Sequence, residues 1–505
     1  MMTRPVPATM ATQHPDNAFP PYWHPKAFIS TSREVEECYR SFSDLGCQEY
    51  MWDWEGKFVD EAVVDRLLQN YHRFFQKFPL GEKYRLTYRI PNLEKEGEAR
   101  LVRAFSGILS AAYTARKMKY KRPPLYEIIH PMTTSVEQLK TLQRRYHETL
   151  LFHRKISGIK NLEPKYIGVI PLIEGTGALL KSRKILEQYT RFLEKFAGHR
   201  PEIIRPFIAR SDPALDGGFV AAVLSAKAAL SEYYTFQRET RVTVRPIMGV
   251  GSLRFRGGLS PETLEEFLAT YPGISTVTVQ SSFRYDHPLA SVKAAIRKLH
   301  RRLAKPEPYY LPKRDMELIR QMEAPLVRHY RSTIENLGGF INQMAQAIPA
   351  RRERLQHTGH FGYSRKVGKK GLSLPRAITF TAVFYSLGIP PELIGLGRAI
   401  RELHQEGILR DLIRIYPQIY TAIEDVGRYF NRENLEILNH YHKPWAKVRE
   451  GITIIEDFLG KKMGPTSPTD LKHRNYTSNV VQNWRTDEPL EDDILHAAQV
   501  RKSLG

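Results

Sequence analysis

Cysteine is almost missing from this sequence: 505 residues contain only Cys38 and Cys47. Two thiols in no metal-ligand spacing make neither a disulfide framework nor a zinc cluster, so a reducing, cytoplasmic setting is expected. No run of about eighteen apolar residues occurs, which argues against a transmembrane helix. The opening MMTRPVPATMATQHPDNA has no apolar core and no cleavage-like site, so a signal peptide is not expected. There is no repeat at a fixed period, no low-complexity tract, no glycine loop ending in Gly-Lys-Ser/Thr, and no dinucleotide fingerprint. Solenoids, nucleotide-triphosphate loops and Rossmann oxidoreductases are thereby disfavoured.

Acidic residues are also in short supply. Asp plus Glu number 54 against 76 Lys plus Arg, a net charge of +22. Such a balance suits nucleic acid, an anionic membrane or small anionic substrates. The basic residues form no single tail; local groups stand at Arg116–Arg122, Arg297–Lys305 and Arg351–Lys370. A solvated basic helix face is the ordinary explanation of each. No aromatic RNA-binding motif, helix-turn-helix or zinc pattern accompanies them, so nucleic acid is not the expected partner.

What is present is alternation. Short apolar runs at Glu49–Trp54, Arg85–Ile90, Leu125–His130, Tyr166–Ile173, Ile203–Ala209, Val242–Met248 and Thr276–Gln280 read as strands. Amphipathic stretches between them read as helices: Asp60–Phe78, Gly97–Met118, Ser135–His153, Ser182–Ala197, Gly218–Thr240, Pro261–Tyr271 and His287–Leu303. Strand-then-helix order implies parallel strands joined by crossovers. With an eighth strand near the start, the fold class expected is α/β, a TIM-type (β/α)8 barrel. After about residue 310 the pattern turns helical, at Met316–Ala347, Ala377–Leu387 and Glu433–Leu459, with a stripe from Ile408 to Ile423 interrupted by Pro417. The expected division is a barrel over 1–310 and a helical region over 311–505, packed as one integrated unit.

In such a barrel the chemistry gathers at the C-terminal ends of the strands. Those positions carry Asp53, Glu55, Arg89, His130, Glu174, Ser211, Asp212, Gln280 and Arg284, with the glycine-rich GVGSLRFRGG over 249–258. Glu174 and Asp212 end successive strands, and two carboxylates there suit a hard dication, Mg2+ or Mn2+, better than zinc. The plainer alternative is that Asp212 caps the next helix or pairs with Arg210. Arg254 and Arg256 in the glycine-rich loop offer planar donor forks for phosphate or carboxylate. His14, in TMATQHPDNA, would on its own be an incidental member of an Asp/Asn turn.

Together, in this order, the motifs resemble the phosphoenolpyruvate carboxylases, and TMATQHPDNA with PRAITFTAVFYSLGIPPE resembles their shorter, archaeal type. The resemblance spans essentially the whole chain. It implies a biotin-free, metal-dependent lyase acting on phosphoenolpyruvate and bicarbonate, and a homotetramer. By resemblance, His14 in HPDN stands at the HPTE histidine implicated in enolate carboxylation, and Arg89 at a substrate-phosphate arginine. Glu174 and Asp212 match the metal-binding acids, SDPALDGG resembles SDSNKDGG, and Arg256 matches the last arginine of HGRGGxxGRGG. His130, Gln280 and Arg284 are further substrate-binding candidates, and Arg254 is a further catalytic one. The sequence departs from the long enzymes at Met248 and Val250, which replace a loop histidine and arginine, and at Leu215, which replaces a lysine. Arg254, Arg284 or His130 are the expected substitutes. The alternative activity is that of another metal-dependent, enolate-forming barrel lyase or aldolase, with a basic nucleic-acid-binding protein further behind.

Overall fold

The computed structural model describes residues 6–353, 365–367 and 372–505. Its centre is a closed barrel of eight parallel strands in sequential order. They are β1 (Thr9–Thr12), β2 (Glu49–Asp53), β3 (Arg85–Arg89), β4 (Glu127–His130), β5 (Gly168–Ile173), β6 (Phe207–Ala209), β7 (Ile247–Gly249) and β8 (Thr276–Val279). The ring closes through β1, which pairs with β2 on one side and β8 on the other. The eighth strand expected near the start is therefore β1, only three residues upstream of Pro15.

Strand side chains alternate between the two faces of a sheet, so one inward residue fixes the rest of its strand. Met10, Met51, Ile129, Ile170, Leu172, Phe207, Ala209 and Ile247 fill the barrel interior. Tyr50, Trp52, Leu86, Tyr88, Ile128, Val169, Ile173, Ile208, Met248, Val277 and Val279 belong to the larger core between strands and helices. At the N-terminal end the interior is closed by a buried ionic layer. Arg205 reaches Glu49 at 2.6 Å and Glu127 at 2.8 Å, and Thr87 donates to Glu49 at 2.5 Å. The open end is thus the C-terminal one.

Two expected strands are shorter than their apolar runs. Ile203–Ile204 and Thr243–Val244 pair with each other outside the barrel, and the barrel strands begin at Phe207 and Ile247. Pro206 and Pro246 stand at the break; lacking an N–H, proline interrupts a ladder inside a sheet. Proline likewise divides the expected helix Glu433–Leu459 into Arg432–Tyr441 and Ala446–Leu459, with Pro444 between them.

The helical half begins with Lys313–Met344, which packs on Ser211–Gly217, the short helix after β6, and on Phe219–Thr240. The nearly all-buried helix Ala377–Ser386 follows, and after Pro390 the chain turns into Leu396–Gln405. Beyond Gly464 the polar tail forms two helices, Pro468–Thr486 and Glu491–Val500, packed on each other. Within the basic group Arg351–Lys370, Arg351 and Arg352 are not on a solvated face. Arg351 donates to the Asn17 carbonyl, and Arg352 is buried against Glu37 at 2.7 Å. Its residues 354–364 and 368–370 lie outside the described residues. Among the described residues, no single helix is long and apolar enough to cross a membrane.

Candidate active site

The two-residue alternation decides what reaches the mouth of the barrel. Continuing inward parity past each strand end selects His14, Asp53 and Glu55, Arg89, Glu174, Ser211, and Gln280. A cavity at this mouth is lined by His14, Glu55, Arg89, Glu174, Asp212, Arg256 and Gln280, with Met51, Leu172 and Phe207 among its apolar walls. Of the nine residues given catalytic, substrate-binding or metal-binding roles from sequence, six meet there: His14, Arg89, Glu174, Asp212, Arg256 and Gln280.

Arg256 is buried and fully engaged. It donates from Nη1 to Asp16 Oδ2 at 2.9 Å and to the Gly505 oxygen at 2.6 Å, from Nε to Ser211 Oγ at 3.2 Å, and from Nη2 to Gln280 Oε1. The loop carrying it is folded tightly on itself: Gly251 N–H donates to the Arg256 carbonyl, and Leu259 N–H to that of Gly251. Gly257 has φ of 120°, in the region that favours glycine. Gly251 needs to lack a side chain for another reason: a Cβ there would lie 2.7 Å from Arg256 Nη1.

Arg89 is clamped from the opposite wall. Its Nε and Nη2 bond both oxygens of Asp53, at 2.8 and 2.6 Å, and Nη1 lies 3.0 Å from Glu55. Burial opposes its charge, but Asp53, Glu55 and then Glu174 hold it protonated well above the ordinary arginine range. His14 follows β1, its Nδ1 2.9 Å from Thr12 Oγ1. The HPDN segment is pinned beside it. Asp16 Oδ1 accepts from Ser282 N–H at 2.8 Å, and Asp286 accepts from the N–H groups of Ala18 and Phe19. The Asp16 carboxylate accepts from the distant Ser282 and Arg256 rather than from the Ala18 N–H that a local turn would use.

Three expected residues are not brought to the cavity. His130 ends β4 one position after inward-facing Ile129, so alternation turns it outward. There its Nδ1 meets Thr133 Oγ1 at 2.8 Å, and burial lowers its pKa to about 4. Arg254 lies in a 3₁₀ turn two residues from Arg256, and at three residues per turn the two point about 120° apart. It forks onto Glu266 at 2.6 and 2.7 Å and onto Asp425 at 2.9 Å. Arg284 lies under the site, donating to the Thr12 carbonyl at 2.6 Å and to Glu37 at 3.0 Å. It supports the strand that presents His14 and does not face the cavity.

Other cavity residues escaped sequence reasoning. Lys95 lines it from the loop after β3, and Arg376 from the N-cap position of Ala377–Ser386. Arg376 had a signal in the sequence, since PRAITF places it directly before an apolar helix in a segment that carries the resemblance. Gly505 had none: nothing in VRKSLG points to Arg256.

Glu174 and Asp212 both line the cavity with oxygen donors, Asp212 from the first turn of the short helix Ser211–Gly217. Among the described residues, no three His, Cys, Asp or Glu side chains are grouped to hold a metal ion. Carboxylate oxygens are hard ligands, and two of them suit a dication that fills its remaining positions with water and substrate oxygens.

Residues 6–505 match the profile of phosphoenolpyruvate carboxylase. The chain is 36% identical over 509 residues to the phosphoenolpyruvate carboxylase of Leuconostoc mesenteroides, covering 100% of both chains. It is 40% identical over 436 residues to that of Pyrococcus abyssi, covering 84% of this chain and 89% of the other. Among solved structures it is similar to a malate synthase from Haloferax volcanii in a magnesium–glyoxylate complex, at 10% identity and a TM-score of 0.36, covering 83% and 98%. From the match along nearly its whole length, the chain belongs to the phosphoenolpyruvate carboxylase family, the carboxy-lyases that join phosphoenolpyruvate and bicarbonate carbon into oxaloacetate and release phosphate.

Proposed function

We propose that the cavity at the barrel mouth is where this carboxylation runs, with Glu174 and Asp212 holding Mg2+ or Mn2+. Arg89, Arg256 and Gln280 would bind substrate, and His14 would serve the carboxylation half. The observation that carries the reading is the sorting of charge in one cavity: two carboxylates on successive strand ends face arginines from β3 and from the glycine-rich loop. A bound dication supplies charge withdrawal at the phosphate and enol oxygens. Arg89 and Arg256 are already fixed by Asp53 and Asp16, so little reorganisation is needed when phosphoryl charge develops.

A bicarbonate oxygen attacks phosphorus as the bond from phosphorus to the enol oxygen breaks, leaving carboxyphosphate and pyruvate enolate. His14 takes the proton of carboxyphosphate as it breaks down to carbon dioxide and phosphate. The enolate carbon then attacks carbon dioxide, and the apolar walls keep water from protonating it first. No biotin carrier is required, because phosphoryl transfer activates bicarbonate. The resemblance further supports a homotetramer, measurable by sedimentation. The buried, unbridged thiols of Cys38 and Cys47 are in keeping with the cytoplasm.

The test is oxaloacetate formation, coupled to malate dehydrogenase, as a function of bicarbonate and magnesium. Asp212→Asn should raise the magnesium requirement by an order of magnitude or more, or abolish turnover, with the fold intact. Wild-type activity at low magnesium in that variant removes Asp212 from the metal site.

A further inference from the structure

The loop that carries Arg256 is held from outside by a carboxylate that no step above uses. In the turn Arg254–Phe255–Arg256, the three side chains diverge to an ion-pair cluster, to the helical half and to the cavity. The Phe255 N–H donates to Glu392 Oε1 at 2.6 Å, and the Tyr385 hydroxyl donates to the same oxygen at 2.9 Å. The Phe255 ring lies on Phe380, centroids 5.6 Å apart. Glu392 is 1% exposed, comes from the short turn Pro391–Leu393, and has an Oε2 with no hydrogen-bond partner among the described residues. A buried carboxylate without a cation is costly, and a plain loop support could have been apolar.

The geometry points to Glu392 as a positioning residue: it docks the arginine loop through the Phe255 N–H and thereby sets the place of the Arg256 guanidinium. The inference rests on the reading of Arg256 as a substrate-facing group. The carboxylate form accepts the N–H and O–H bonds best, since charge strengthens both. Burial first, and Asp425 in addition, push the Glu392 pKa up to about 7 against the hydrogen bonds that lower it. The groups around it are identifiable. Tyr385 comes from Ala377–Ser386, Asp425 from Ile419–Gly427, and Arg254 from the loop, already paired with Glu266 and Asp425. Arg428 pairs with Asp425, Arg501 lies over the Tyr385 ring, and Arg398 of Leu396–Gln405 is turned to the His329 carbonyl and Thr333. On Ala446–Leu459, Glu456 bonds Arg432 and Lys462. None of these cations takes Glu392 as its partner. Docking of the loop is then strongest above neutrality and loosens as Glu392 is protonated below it.

The test is the pH profile of kcat/KM for phosphoenolpyruvate at fixed bicarbonate, for wild type, Glu392→Gln, Glu392→Ala and Tyr385→Phe, with Arg256→Ser alongside. Glu392→Gln keeps an acceptor oxygen and should remain active while losing the acid limb centred near neutrality. Glu392→Ala should lose at least about tenfold at every pH through misplacement of the loop, with circular dichroism unchanged. Tyr385→Phe removes a bond that favours the carboxylate and should move the limb to higher pH. A Gln variant that retains the wild-type limb, or a folded Ala variant with wild-type kcat/KM, overturns the inference. If Arg256→Ser is itself unimpaired, the reading of the cavity fails and the inference with it. If only Arg256→Ser is impaired, the cavity reading stands and the role of Glu392 falls.

Discussion

His14 and His130 show how far residue type alone is from function. Both follow or end a barrel strand; one lines the cavity and the other packs outward, a difference of one step in a two-residue period. For His14 the expectation concerns products. If it serves only the second half-reaction, His14→Asn should still cleave phosphoenolpyruvate in the presence of bicarbonate and the dication. It should release phosphate and pyruvate with little oxaloacetate. Parallel assays of the three products separate this from lost binding, where phosphate release also stops, and from a bystander, where the ratio is that of wild type.

For His130 the expectation concerns stability. Its folded pKa is lowered by burial from 6.5 to about 4, so folding favours the neutral ring. Its contribution is complete above pH 6.5 and is lost as pH falls toward 4, up to about 3 kcal/mol in all. His130→Gln should flatten the dependence of urea-unfolding free energy on pH across that window and leave kcat near wild type. A large loss of turnover would return His130 to the chemistry.

At the scale of elements, most of the barrel was legible because buried parallel strands are near-continuous apolar runs and their covering helices are amphipathic. The breaks at Pro206, Pro246 and Pro444 were missed, because the apolar runs were read straight through them although proline's missing N–H marks each one. The divergence of Arg254 from Arg256 was not legible, because a run of glycine and arginine does not announce a 3₁₀ turn. Nor was the close crossing of Leu396–Gln405 and Ala446–Leu459, where a Cβ on Gly397 would lie 2.0 Å from the Gly451 carbonyl oxygen.

Three glycines then give three different outcomes with alanine. Gly397→Ala forces two helices apart and should destabilise by about 1–3 kcal/mol or more. Gly339→Ala, on an open helix face with nothing within 4 Å of the new Cβ, should stabilise by about 0.5–1 kcal/mol. Gly251→Ala meets the tip of the Arg256 side chain rather than backbone, so it should cost less stability than Gly397→Ala and, by displacing the guanidinium from Asp16 and Gln280, much of kcat/KM. Denaturant melts and steady-state kinetics on the three variants check the set; equal stability losses at 251 and 397 would mean the loop cannot yield locally.

At the scale of the whole molecule, Asp16 and Gly505 meet at one arginine, a contact that no local pattern encodes. The Asp16 carbonyl accepts from Leu504 N–H at 2.7 Å and from Ser503 Oγ at 3.2 Å, while its carboxylate and the Gly505 oxygen share Arg256 Nη1. Arg501 fixes the approach by donating to the Leu504 carbonyl at 2.7 Å. The slot is tight: a Cβ on Gly505 would fall 2.1 Å from the Ile378 carbonyl oxygen, two residues beyond Arg376. Removing Ser503–Gly505 deletes one buried leucine side chain, worth about 1.5–3 kcal/mol, so the melting temperature should fall by only a few degrees. The same deletion takes an acceptor from Arg256 and support from Asp16. Loss of a preorganised donor outright costs about 10²–10³ in turnover, and displacing Arg256 while Asp16 and Gln280 still hold it should lower kcat by about tenfold to that limit. Gly505→Ala should reproduce part of the kinetic loss, with a thermal loss no larger than that of the deletion, since at worst the clash expels the same three residues. Parallel loss of activity and stability in both variants would make the tail a structural clasp, and wild-type kcat after deletion would remove it from the active site.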